Sequence, residues 1–228
     1  MVDTRQVGVL SAMGIEVFRL RDAESEAPSE ETPSEEATSV LRTLDWPALA
    51  EEVRSCTLCD LSRTRTQTVF GVGRPDADLM IIGEAPGADE DRQGEPFVGR
   101  AGQLLNSMLR AIGLGREDVY IANILKCRPP NNRDPQPEEA ARCSPYLERQ
   151  IELVEPRAVL AVGRIAAQHL LQSDLAIGRL RGQVLSFGAQ RIPLVATYHP
   201  AYLLRSPQAK AKAWQDLCLI RGLITQRQ

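Results

Sequence analysis

The chain has 228 residues, 43% of them apolar and 25% charged, which is ordinary for a globular protein and enough for one packed domain with an appendage, but short for two full domains. No apolar run approaches the roughly 18 residues of a membrane span, and the start, MVDTRQVGVLSAMG, lacks the basic opening, apolar stretch and cleavage site of a secretory signal; the expectation is a cytoplasmic protein with no membrane partner. The net charge of −3 is uneven, because residues 1–38 hold nine acids against three bases and the rest holds 24 bases against 21 acids, so the remainder is mildly basic and permits a polyanionic partner.

In chain order, VGVLSAMGIEVFRL (7–20) has the pattern of a short helix. RDAESEAPSEETPSEEATS (21–39) is so rich in Glu, Ser, Pro and Ala that it cannot bury apolar surface, and reads as a disordered acidic linker. Residues 1–43 are therefore expected to be an extension and 44–228 the domain. WPALAEEVRSC reads as a helix opened by Pro47, and a loop carrying CTLC follows. ADLMIIGEAP is a buried strand running into a glycine-rich turn. In GQLLNSMLRAIGL the apolar residues Leu104, Leu105, Met108, Leu109 and Ile112 recur at helical spacing. DVYIANILKC is a second strand, PQPEEAARCSPYLERQIELV a helix with acids in its first turn, PRAVLAVG a third strand, RIAAQHLL a helix and IPLVATYHP a fourth strand. SPQAKAKAWQDL begins the last helix, with Ser206 as cap and Pro207 at its first position.

Strands alternating with helices predict an α/β fold: a three-layer α/β/α arrangement around a central, mainly parallel four-stranded sheet. Ligands of such sheets gather at the carboxyl ends of the strands. Three segments fall there: GEAPG at 83–87, the run from Asn123 to Cys127, and YHP at 198–200.

The turn GEAPGADEDRQGEPFVGRAG (83–102) lacks both G-x-G-x-x-G and G-x-x-x-x-G-K-[ST]. Its carboxylates would repel a diphosphate, so no nucleotide cofactor is expected. A carboxylate at a strand end suits positioning a water or stabilising a developing cation; a solvated acidic loop is the plainer reading. Phe97, in a polar stretch, is either a hydrophobic plug or a stacking platform.

The five cysteines are an odd number in a chain without an export signal, which argues against a disulfide framework. Cys56 and Cys59 form C-x₂-C, and Cys127 and Cys143 complete a set of four able to hold a metal centre. The spacing does not match a zinc ribbon, does not choose between zinc and iron–sulfur, and also allows four unrelated buried thiols. Cys218, on the face of Trp214 and Leu217, reads as core. His169 within a helix reads as structural; His199, at a strand end before a proline, is the better catalytic candidate.

Four segments together resemble the family 4 uracil-DNA glycosylases, the iron–sulfur branch of that superfamily: CTLC at 56–59, the turn at 83–102, NILKCRPPNNRDP at 123–135 and YHPAYLL at 198–204. The resemblance covers most of 44–228. It implies an enzyme that flips uracil out of DNA, hydrolyses its N-glycosidic bond and leaves an abasic site, initiating base excision repair. It implies that Cys56, Cys59, Cys127 and Cys143 hold a 4Fe–4S cluster in a structural role. It implies that Phe97 stacks on the base, that Asn123 reads its Watson–Crick edge, that His199 stabilises charge on the departing uracil and that Glu84 faces the sugar. Gly83, Ala85, Pro86 and Gly87 would line the pocket, with Glu90 in the space of a thymine methyl. Arg128, Asn131 and Arg133, together with Arg205, are expected DNA contacts, and Leu203 and Leu204 an apolar wedge. A related branch that crosslinks to uracil-DNA carries an extra basic, His-containing loop; this chain has no such insertion, so turnover is expected. The expected partner is uracil-containing DNA and the expected state a monomer. The alternative is a catalytically inert iron–sulfur module that binds nucleic acid.

Overall fold

A computed structural model describes residues 41–225; the 7–20 helix and the acidic linker lie outside the described residues. The sheet has six strands in the order β1-β3-β2-β4-β6-β5, with β1 Val72–Gly73, β2 Leu79–Gly83, β3 Tyr120–Asn123, β4 Ala158–Val162, β5 Leu185–Phe187 and β6 Ile192–Thr197. The four expected strands, β3-β2-β4-β6, are the parallel centre. The two additional strands are short antiparallel edges. At two and three residues they are too short for an alternation to announce them, and pairing with a longer neighbour creates them.

The central strands are buried on both faces, so they read as continuous apolar runs. Their side chains nevertheless sort with period two. Met80, Ile82, Tyr120, Ala122, Val159 and Ala161 face one core layer, closed by α4 (Pro137–Val154), α5 (Arg164–Leu171) and the short α6 (Ile177–Leu180). Leu79, Ile81, Ile121, Leu160 and Val195 face the other, closed by α3 (Arg100–Ala111), α7 (Pro200–Arg205) and α8 (Lys210–Thr225). The three layers are thus those expected. The first helix, α1 (Trp46–Ser55), packs Leu49 and Val53 against Tyr146 of α4. Asp45 caps it by accepting from Ala48 N–H at 3.0 Å.

Two expectations about the last helix are corrected. Residues 207–209 form a 3₁₀ turn in which the Ser206 side chain makes no cap, and α8 proper begins at Lys210. Its buried stripe is Ala213, Asp216, Leu217 and Ile220, which turns Trp214 and Cys218 outward, both exposed. The polar Asp216 holds an inward position because it is fully paired: it accepts from Arg181, from Gly182 N–H and from Thr197 Oγ1. That network fixes the end of β6, where Thr197 precedes the YHP segment. Among the described residues no helix is long and apolar enough to cross a membrane.

The order of the strands creates a switch point. The chain leaves β2 for β3 on one side and leaves β4 for β6 on the other, so the crevice at the carboxyl ends lies between β2 and β4. Gly83 ends β2, Gly163 follows β4, and Asn123 and His199 follow from the strands on either side.

Candidate active site

The turn after β2 contains a helix that its acids explain. Residues Ala88–Gln93 form α2, with Asp89, Glu90 and Asp91 in its first turn, next to the helix's positive end. Glu90 Oε2 accepts from Gly87 N–H at 3.1 Å, while its Oε1 accepts from Val98 N–H at 3.0 Å and Gly99 N–H at 3.3 Å. Asp91 is buried and accepts from Thr66 N–H and Thr66 Oγ1 at 2.9 and 2.7 Å. Asp89 pairs with Arg92. Most of the acidic cluster therefore builds the loop. Glu84 differs: among the described residues it makes no side-chain hydrogen bond or ion pair, and burial, with the Asp134 carboxylate adding to it and Arg164 opposing, pushes its carboxyl up to about 7.

Asn123 sits opposite Gly83 in the parallel β2–β3 register, and the two strands stay paired beyond their ends, with Ile124 N–H donating to Gly83 C=O at 3.0 Å and Leu125 N–H to Glu84 C=O at 3.1 Å. The pairing aims the Asn123 side chain across the end of β2. It is 2% exposed, and its Oδ1 is the one buried side-chain polar atom without a partner among the described residues. Leaving such an acceptor unpaired costs roughly 1–3 kcal/mol, so it is a position at which a ligand's N–H would be favoured. An open groove of about 520 Å³ is bounded by Asp134, Arg164, Gln168 and His169, but the unpaired acceptor is at Asn123.

Phe97 lies between α2 and α3 in the left-handed region, at φ 55°. Its ring is 5.7 Å, centroid to centroid, from the His199 imidazole, with the planes inclined by 31°. Gly83 is where the aromatic and the amide meet: a Cβ there would stand 2.4 Å from Asn123 Oδ1 and 2.7 Å from Phe97 Cζ. Gly83→Ala is thus expected to displace both side chains and lower activity by about 10²-fold, as misplacement of about 1 Å does elsewhere. Steady-state kinetics beside a thermal melt checks this; wild-type kcat/KM would show that the two side chains are not needed where they stand.

His199 caps α7, held extended by Pro200 behind it. Its Nδ1 accepts from Ala201 N–H at 3.1 Å, which assigns the ring proton to Nε2. Burial, reinforced by the Arg205 charge and opposed by Glu90, lowers its pKa to about 4. At neutral pH it is a neutral imidazole with one N–H to donate. Behind it Gly163, at φ 101°, leaves room that a Cβ would occupy at 3.2 Å from His199 Cβ. His169, in α5, has Nε2 2.9 Å from Ser144 Oγ.

The four cysteines of the expected set line one small cavity with Val53, Lys126, Arg142 and Tyr146. All are free thiols. Arg65 Nη1 lies 3.0 Å from Cys127 Sγ and Lys126 N–H donates to Cys143 Sγ at 3.3 Å; burial pushes the Cys59 and Cys127 thiols up and that of Cys143 to about 12. Among the described residues no group of three or more His, Cys, Asp or Glu forms a site for a metal ion, and the four thiols instead ring a space. Four thiolates are a donor set that zinc and iron–sulfur sites share, and the Arg65 guanidinium and the Lys126 N–H each face one of these sulfurs. Lys126, 1% exposed, bridges the two centres: its Nζ donates to Asn123 C=O at 2.8 Å and to Gln150 Oε1 at 2.6 Å. A lone lysine after a strand carries no pattern that announces burial, so the place of Lys126 is not legible in the sequence.

The expected DNA contacts are dispersed. Arg128 donates to Asn132 Oδ1 at 2.8 Å, and Asn131 is exposed in the left-handed region. Arg133 is committed to a two-point ion pair with Glu139 at 2.9 and 2.5 Å. Leu203 is 1% exposed, packed in the core layer under α3. It is unavailable as a wedge, because α7 must bury one apolar residue to dock. Leu204 and Tyr202 face outward, and Arg205 is exposed at the end of α7.

Comparison with known proteins bears on this arrangement. Residues 70–218 match the model of the Uracil DNA glycosylase superfamily. A protein named Type-4 uracil-DNA glycosylase from Archaeoglobus fulgidus is 47% identical over 186 residues, covering 79% of this chain and 94% of that protein. One of the same name from Thermotoga maritima is 44% identical over 160 residues, covering 69% and 82%. A Type-5 uracil-DNA glycosylase from Pyrobaculum aerophilum is more distant, at 35% over 148 residues and 58% of this chain. With an orphaned amide, a neutral imidazole and an aromatic ring gathered at the switch point of an α/β sheet, and with relatives alike over most of their own length, this chain belongs to the uracil DNA glycosylase superfamily.

Proposed function

We propose that the protein hydrolyses the bond between uracil and deoxyribose in DNA, leaving an abasic site, and that Phe97, Asn123, His199 and Glu84 carry the reaction. The observation that supports this most is the unpartnered, buried Asn123 Oδ1 beside an aromatic ring. A flipped base brings an N3–H to that oxygen, and the Asn123 amide N–H donates to O4. Cytosine reverses both groups, so both bonds fail. Sites that bind by such hydrogen bonds reject the wrong ligand by about 10⁴–10⁵-fold. Phe97 stacks on the base, and the backbone of Gly83, Ala85, Pro86 and Gly87 closes the pocket. Both oxygens of Glu90 are engaged by backbone N–H groups, so its part in excluding thymine is to hold the loop in place.

As the glycosidic bond breaks, the electron pair goes to N1 and charge spreads to O2. His199 Nε2–H donates to O2 while the ring stays neutral, since its pKa of about 4 lies well below neutrality. One fixed donor of this kind is worth about 10²–10³-fold in rate elsewhere. Glu84, as carboxylate, stabilises the sugar cation and orients the water whose oxygen adds to C1′; the proton this water loses passes to the carboxylate and then, by way of solvent, to the departing uracil anion. Cys56, Cys59, Cys127 and Cys143 hold a 4Fe–4S cluster, which as a structural group ties the segment before β1 to the loop after Asn123. Arg128, Asn131 and Arg205 contact phosphates, and Leu204 fills the place vacated by the base.

The direct test is release of free uracil from uracil-containing single- and double-stranded oligonucleotides. No release by cluster-loaded protein that still binds DNA would favour an inert binding module. The Glu84 carboxyl adds a pH signature. Because its pKa is raised from 4.5 to about 7, kcat/KM is expected to climb with pH through about 7 and then level, with no further limb from His199 between pH 5 and 9. The same shift favours the folded state while Glu84 is protonated; that advantage fades as pH rises from 4.5 through about 7. Glu84→Gln is expected to flatten both dependences; an unaltered pH–rate profile in that variant would assign the titration to another group.

A further inference from the structure

Phe97 is an aromatic residue in a backbone region that bulky side chains avoid, at φ 55°. Such a conformation persists only where its surroundings hold it, and here its peptide groups are gripped from both sides. On one side Glu90 Oε1 accepts the N–H groups of Val98 and Gly99 at 3.0 and 3.3 Å. On the other, Arg116 reaches back from the 3₁₀ turn Arg116–Asp118. Its Nη1 donates to Phe97 C=O at 3.3 Å, its Nη2 donates to Pro96 C=O, and Nη1 lies 3.5 Å from Asn106 Oδ1 of α3. A planar guanidinium can bridge two successive carbonyls and an amide at once; an ammonium, a point charge on a flexible stem, cannot hold that fork.

We propose that Arg116 is a positioning residue for base stacking. By holding the carbonyls of Pro96 and Phe97 it keeps the Phe97 peptide left-handed and the Phe97 ring beside Gly83, Asn123 and His199. It touches no substrate, and acts through Phe97 alone. This rests on the reading of Phe97 as the surface on which uracil stacks. Burial lowers the pKa of the half-buried guanidinium, and the Glu95 and Glu90 charges oppose that shift only in part; an arginine still carries its charge at neutral pH, so the grip persists there.

The test is a double-mutant cycle on full-length, cluster-loaded protein, read as kcat and KM for a uracil-containing oligonucleotide with a thermal melt of every variant. Phe97→Ala is expected to lower kcat/KM about tenfold or more, the scale of one base–aromatic stack. Arg116→Ala is expected to cause a comparable loss in the parent, and almost none in the Phe97→Ala background. Arg116→Lys recovers little, whereas millimolar guanidinium ion restores part of the Arg116→Ala activity and none of the double variant's. Losses that multiply in the double variant would overturn the proposal, as would Arg116→Ala at the parent rate. Phe97→Ala at the parent rate would remove the stacking reading itself, and the proposal with it. Arg116→Lys, which keeps the charge, serves if Arg116→Ala does not fold; wild-type kinetics in it would likewise overturn the positioning role.

Discussion

Asn123→Ala is expected to lower kcat/KM for uracil excision by about 10²–10³-fold, the range seen when one preorganised hydrogen-bonding group is removed from an active site. The melting temperature is expected to stay within a few degrees of the parent. The two outcomes separate for a physical reason. Asn123 Oδ1 is buried and unpaired in the free protein, so truncation removes an unmet acceptor and sacrifices no hydrogen bond at that atom; the loss appears only when a base arrives. Asn123→Asp is the sharper variant. It has nearly the same shape and keeps an acceptor for N3–H, but it replaces the donor to O4 with a second oxygen, so uracil O4 meets a carboxylate. A loss similar to that of alanine would place the effect in hydrogen bonding, not in shape. Excision at the parent rate by Asn123→Ala would end the assignment of this amide as the reader of the base.

The second large effect is expected in stability. Cys127→Ser should abolish the visible absorption of an iron–sulfur protein and lower the melting temperature by about 10 °C, several kcal/mol for a domain of this size. Cys127 is 6% exposed and follows β3 by four residues, so it anchors the loop that carries Lys126. Half-buried Arg65 donates to Cys127 Sγ, and the buried Lys126 ammonium, though bonded elsewhere, feels the charge of Cys143 and Cys127. Without thiolates there, the Lys126 charge lies uncompensated in a closed interior, a condition worth several kcal/mol of destabilisation. Its bond to Asn123 C=O at 2.8 Å carries the disturbance to the residue proposed to read the base, so the variant should also excise uracil poorly. Cys218→Ser is the matching control: that thiol is exposed on α8 and away from the other four, and its replacement should alter neither absorption nor melting. Colourless protein from an anaerobic preparation of the parent would show that the four cysteines hold something other than an iron–sulfur cluster.

The parallel centre of the sheet could be read from the chain because its signals are local. LMIIG, YIAN, AVLAV and IPLVAT are apolar enough to be buried on both faces, and amphipathic segments between them require helices to cover those faces. The four candidate side chains stand out for a related reason, since Glu84, Asn123 and His199 fall where strands end and Phe97 lies in an otherwise polar turn; the roles assigned to them come from the resemblance of the four segments to the family 4 uracil-DNA glycosylases. Period and punctuation are properties of neighbouring residues, and a sequence displays them directly.

What each side chain faces is set by residues far along the chain, and only the tertiary structure decided it. Leu203 and Leu204 are equally apolar, yet docking of α7 buries the first and exposes the second. Cys218 sits one position beyond a buried Leu217 and is exposed, because paired Asp216 takes the inward place. The acids of the 83–102 turn look alike in sequence; Thr66, Val98 and Gly99 convert Asp91 and Glu90 into structural ties and leave Glu84 unbonded, with its carboxyl raised. The sequence alone determined which chemical groups the protein possesses and the layered frame that holds them. The fold alone decided their protonation, their partners and the one acceptor left open, because burial and hydrogen bonding depend on contacts between segments that the linear order keeps apart.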